Sequence, residues 1–90
     1  SALAFDGSGF VQRHKNNYSL CRFQTGKEYH TDLNAAYNIG ARYYVREIIK
    51  SLPERDRLEI QAKVPELSKR STCTLSSLIN LNVVLKELAL

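Results

Sequence analysis

Methionine and tryptophan are both absent from this chain, and cysteine, proline and histidine occur twice each. Without a starting methionine, the sequence is expected to be a piece of a longer protein. Cys21 and Cys73 are too few for a disulfide framework and lack CxxC spacing, so a reduced, cytoplasmic protein is expected. His14, Cys21 and His30, separated by six and eight residues, fit no common zinc pattern, and zinc is not expected. No apolar run is long enough to span a membrane. Residues 1–7 lack the basic start and apolar stretch of a signal peptide.

What remains is an ordinary globular composition with a basic bias. Ninety residues with 43% apolar content allow one small domain with a modest core. Thirteen lysines and arginines against nine acids leave a net charge of +4, which favours an anionic partner.

Turn signals divide the first third. Asp6-Gly7-Ser8-Gly9 separates Leu3–Phe5 from Phe10–Arg13. His14-Lys15-Asn16-Asn17 is a second polar turn, and Gln24-Thr25-Gly26-Lys27 a third, leading from Tyr18–Phe23 into Glu28–Thr31. Residues 1–31 therefore read as a short antiparallel hairpin or meander, too small to be stable without the helices or another partner.

Residues 32–51 read as one long helix, with Thr31 as its expected N-cap. At about 100° per residue, Ala35, Ala36, Ile39 and Tyr43 lie within about 60° of Asp32. Leu33, Tyr37, Gly40, Tyr44 and Ile48 form a second apolar stripe, while Asn34, Asn38 and Arg42 form a polar strip. The Asp32 stripe is expected to face the interior. Gly40 within the helix suggests a close crossing. Ser51 and Glu54 have capping-box spacing for a second helix to about Val64, which Pro65 stops. Ser68–Thr72 reads as a loop. A last helix runs from about Thr74 to Leu88, with Leu75, Leu78, Ile79, Leu85 and Leu88 on its core side.

An inward-facing Asp32 has two readings. It can complement the helix dipole alone, or it can be an acid whose cost of burial is met by a metal ion. Asn34 and Asn38 are either hydrogen-bonding partners that fix Asp32 or an adjoining strand, or a solvated face. Cations and rings alternate through the first third: Arg13, Lys15, Arg22 and Lys27 with Phe10, Tyr18, Phe23 and Tyr29. That mixture suits either a nucleic-acid strand or the core of a small hairpin. Arg42, Arg46 and Lys50 form a row at i, i+4 and i+8 that could follow a phosphate backbone or remain solvated.

The run Asp32-Leu33-Asn34-Ala35-Ala36-Tyr37-Asn38-Ile39-Gly40 resembles the third nuclease motif of the TnpB (OrfB-type) transposon-encoded nucleases and of the type V CRISPR effectors. Phe5-Asp6-Gly7-Ser8-Gly9 and Thr25-Gly26-Lys27 extend the likeness upstream. Ala41-Arg42-Tyr43-Tyr44 and Arg46-Glu47 extend it downstream, so that it covers roughly residues 3–52. The resemblance implies that residues 32–90 are the helical C-terminal part of a RuvC-like nuclease domain. Residues 1–31 would be the end of its target-strand-binding β-ribbon, zinc-ribbon-like but metal-free. Asp32 would be the last catalytic carboxylate and a ligand of magnesium or manganese, with Asn34 and Asn38 supporting it. Arg22, Lys27, Arg42, Arg46 and Lys50 would contact nucleic acid. The whole protein would be guided by RNA, cut DNA and serve a transposable element, with its DNA recombination, or a CRISPR system.

The expected fold is therefore α+β: a short β-hairpin or meander, a long central helix and two further helices. The other acids match none of the family's contexts, and Glu47 lies about four turns from Asp32, too far to share a metal. One leg of a nuclease centre is legible, and these residues alone are expected to be inactive. The rival is a non-catalytic small helical module that binds nucleic acid or protein.

Overall fold

The computed structural model describes residues 2–88, so that residues 1, 89 and 90 at the ends of the two expected segments lie outside it. Three short strands, β1 (Gln12–Arg13), β2 (Leu20–Arg22) and β3 (Glu28–His30), form an antiparallel meander in the order β1-β2-β3. Three α-helices follow: α1 (Thr31–Lys50), α2 (Glu54–Lys63) and α3 (Leu75–Glu87), with a short 3-10 turn at Pro65–Ser68. The α+β fold with a long central helix is thus observed. No helix among the described residues is long and apolar enough to cross a membrane.

The chain before β1 folds back on itself at Asp6-Gly7-Ser8-Gly9, pairing Leu3 with Phe10. Asp6 accepts a hydrogen bond from the Ser8 N–H at 2.9 Å, the role of a turn residue. Gly7 has φ of +81°, and a Cβ there would lie 2.6 Å from Ser76 Oγ, so the turn requires glycine on both counts.

Two separate apolar clusters form, one around the sheet and one among the helices. Ala4, Cys21 and Phe23 are buried in the sheet end, with Phe5, Val11 and Tyr29 against them. Phe5 packs edge-on to Phe23 and Tyr29, with ring centroids 5.3 and 5.0 Å away, and meets Tyr37 of α1 at 5.0 Å. Phe23 and Tyr29 therefore belong to a core, whereas Phe10 and Tyr18 are exposed. The helical cluster is Val45, Ile60, Val64, Leu67, Cys73 and Leu81. Full burial of each of its larger side chains contributes about 1.5–3 kcal/mol.

Both cysteines are free and buried. Burial pushes the Cys73 thiol up, and Glu66 adds to this, while Arg42 and Ser77 oppose it. A thiol reagent at neutral pH should label Cys73 only on unfolding. Labelling of the native chain at the rate of a free thiol would mean that the segment around Cys73 opens readily.

The polarity of α1 is the reverse of the expected one. Its buried residues are Thr31, Asn34, Asn38, Ala41 and Val45, and Asp32, Ala36, Ile39 and Tyr43 face outward. Leu33, Tyr37 and Tyr44 of the second apolar stripe are exposed as well. A Cβ on Gly40 would have nothing within 4 Å among the described residues, so no close crossing occurs there.

Local ends also differ. Thr31 is the first residue of α1 rather than its cap: its N–H donates to Ser19 O at 2.7 Å and its hydroxyl to Tyr18 O at 3.0 Å. The turn that leads into β2 takes both donors. Ser51 Oγ donates back to Ile48 O at 2.6 Å, closing α1, and Pro53 occupies the N-cap of α2. On α3 the buried residues are Ser77 and Leu81, and Ile79 is exposed because it lies about 160° around the helix from Ser77.

Candidate functional site

Asp32 sits in the first turn of α1, exposed, where the helix dipole favours a carboxylate. It heads a wide outward face. Stepping around the helix, Ile39, Tyr43, Ala36, Leu33, Tyr44 and Tyr37 occupy about half of the circumference. Ile39 is 57% exposed, Tyr43 59% and Tyr44 61%. A single acid therefore opens an apolar face that is largely uncovered among the described residues, with Phe5 packed against Tyr37 at its edge.

Asn34 and Asn38 leave the helix about 160° and 120° around from Asp32, so they support the inner side of the helix rather than the carboxylate. Asn34 is fully buried, accepts from the Phe5 N–H at 2.8 Å and donates to the Leu3 carbonyl at 2.8 Å. Asn38, also fully buried, donates to the same carbonyl at 2.9 Å and accepts from the Leu75 N–H at 3.1 Å. The Ser76 N–H completes the seam with a bond to Phe5 O at 2.9 Å. Two amides thus join the N-terminal segment, α1 and the start of α3, where backbone groups would otherwise be buried unpaired.

The cations fall into separate places. Arg22 Nη2 lies 2.9 Å from Glu28 Oε1 across the β2–β3 pair, and that guanidinium holds Glu28 below the usual carboxylate range. Lys27 is exposed in the turn between the same strands. Arg42, Arg46 and Lys50 line a cavity of about 310 Å³ together with Arg70, Gln61 and Ser68, over a floor that includes Val45, Ile49, Leu67 and Cys73. Arg42 is held there by its Nε, which donates to Cys73 O at 3.0 Å.

Arg70 is the functional candidate that sequence patterning missed. It lies after the 3-10 turn Pro65–Ser68, within a stretch that reads only as a polar loop. Val64 and Leu67 anchor that segment in the helical core, which carries Arg70 back to the α1 row. The pairing of Pro65 with Leu67 just before a basic run was the one available sign.

Among the described residues, no group of three or more His, Cys, Asp and Glu is placed to hold a metal ion. Asp32 alone does not make a magnesium centre, which draws on one or two carboxylates together with waters and substrate phosphates. Manganese added to the 90-residue chain should broaden the amide signals around Asp32 only at millimolar concentrations. Micromolar binding centred there would mean that the chain carries a complete site.

Comparisons with protein-family models, with curated proteins and with solved structures each return no significant match.

Proposed function

We propose that this chain is part of a RuvC-like, magnesium-dependent DNA endonuclease, and that it contributes Asp32 as the last carboxylate of a metal centre completed by other parts of the protein. The motif resemblance around Asp32 supplies the nuclease reading, and one structural observation supports the incompleteness. Asp32 heads an exposed half-cylinder bearing Ile39, Tyr43, Leu33 and Tyr44, a patch of the kind that soluble domains cover with a partner surface. A sheet seated on this face would bury the rings and bring its own acids to the rim where Asp32 projects.

The shape agrees with that reading. The radius of gyration is 14.4 Å, with extents of 48 × 20 × 17 Å. A self-contained domain of this length has about 12 Å. In the full nuclease, Asp32 would hold a divalent ion jointly with partner carboxylates, and the ion would stabilise the attacking and leaving oxygens of a phosphodiester. Guide RNA and target DNA are the partners that this reading implies, and a transposable element or CRISPR system its setting.

A second reading is a binding module with no catalytic role, favoured by the basic cavity of Arg42, Arg46, Lys50 and Arg70, which Asp32 does not line. The two separate in one experiment. The longest natural chain carrying these residues, purified with its RNA, should cut DNA with magnesium and not with a chelator. Binding without cleavage under both conditions would overturn the nuclease reading and leave the module.

A further inference from the structure

The cavity along α1 reaches Arg42. That residue and Arg70 also line a second cavity of about 550 Å³, which ends at Phe10 and Ala2. The two arginines thus stand between two adjoining cavities, one reaching Lys50 and the other the N-terminal hairpin. No acidic side chain lines either cavity. Arg46 and Arg70 are exposed and have no ion pair within 4 Å among the described residues. Lys50 meets Glu47 at 3.7 Å with both side chains largely in water, a contact worth little.

Three cations along α1 with Arg70 beside them, of which only Lys50 meets an acid, repel one another, and a polyanion relieves that repulsion. Arg42, Arg46 and Lys50 rise about 6 Å per step along α1, close to the separation of successive phosphates in a single nucleic-acid strand. Arg42 spends one N–H on Cys73 O, and its other four remain for an anion. At the far end Phe10 is 70% exposed, an unpaired ring beside a cationic track. A ring of that kind takes a base face only when the base is unpaired, which selects a single strand over a duplex.

We infer that the two cavities bind single-stranded nucleic acid, with phosphates on Lys50, Arg46, Arg42 and Arg70 and a base stacked on Phe10. The interaction is carried by this chain's own residues and needs no metal, so it stands or falls apart from the nuclease reading.

The test is fluorescence anisotropy on the 90-residue chain, in chelator, with a labelled twelve-nucleotide single strand and its duplex. The single strand should bind at least threefold more tightly. The slope of log K against log salt should be about −2 to −3, at about 0.7 per phosphate contacted. Arg46→Ala combined with Arg70→Ala should weaken binding at least tenfold and flatten the slope by about one unit. Neither residue holds the fold together, and circular dichroism should confirm that the variant is native. Lys63→Ala with Lys86→Ala removes the same charge at exposed positions outside both cavities and should cost less than twofold. Phe10→Ala should weaken single-strand binding without altering the slope. Equal losses from both charge pairs, or a duplex that binds as tightly as the single strand, would overturn the inference.

Discussion

Replacing Asn34 by alanine should lower stability by about 2–3 kcal/mol, although no apolar contact of the size of a leucine is lost. Asn34 is fully buried, and its removal strands the Phe5 N–H, which has its bond to Asn34 Oδ1 at 2.8 Å. The Leu3 carbonyl keeps only one of its two amide donors. For a chain of this length, that loss should lower the melting temperature by ten degrees or more. Asn34→Asp is the sharper variant. It keeps an acceptor for Phe5, but at neutral pH it sets a carboxylate oxygen where an N–H now donates to Leu3 O. Burial and that carbonyl favour the protonated acid, so its folded-state pKa rises above the unfolded value of about 3.9. A raised pKa gives stability that is present below the unfolded value and lost as pH climbs through the folded one. The aspartate variant should therefore melt higher at pH 4 than at pH 7, relative to the parent chain. Equal stability of Asn34→Asp and the parent at pH 7 would mean that the amide does not donate to Leu3.

The same amides show where sequence patterning stops. The meander was legible because each turn carries its own chemistry: Asp6-Gly7 with an Asx bond, and Gly26 with a positive φ between β2 and β3. The length of α1 was legible because no proline interrupts Thr31–Lys50 and a lone Gly40 does not stop the helix. Its orientation was not. Apolar periodicity ranks the faces of a helix by their affinity for other side chains. The inner face of α1 here meets the backbone of Leu3–Phe5 and the start of α3, whose N–H and carbonyl groups require polar partners. Asn34 and Asn38 therefore turn inward while Tyr43 and Ile39 turn out. No spacing rule within the helix encodes a need that arises about thirty residues away. Arg70 escaped for a related reason, since its place beside Arg46 is set by the packing of Leu67 rather than by its own neighbours.

Asp32→Ala should do the opposite of Asn34→Ala: leave the fold intact and abolish cleavage by the nuclease proposed above. Asp32 is exposed and makes no ion pair among the described residues, so its stabilising role is limited to the helix dipole. Its loss should cost at most about 1 kcal/mol in the isolated chain. In the full nuclease, a ligand to the catalytic metal governs transition-state stabilisation worth several kcal/mol, at 1.36 kcal/mol per tenfold in rate. Cleavage should therefore fall about a thousandfold or more while nucleic-acid binding persists. Asp32→Asn, which keeps the shape but not the charge, should fall nearly as far. Asn34→Ala provides the contrast, because it should depress cleavage only in proportion to the protein it unfolds, and cooling should restore part of the rate. Cooling should not rescue Asp32→Ala. Full cleavage by Asp32→Ala would remove Asp32 from the metal centre, and a loss that tracked the melting temperature would make it a structural acid.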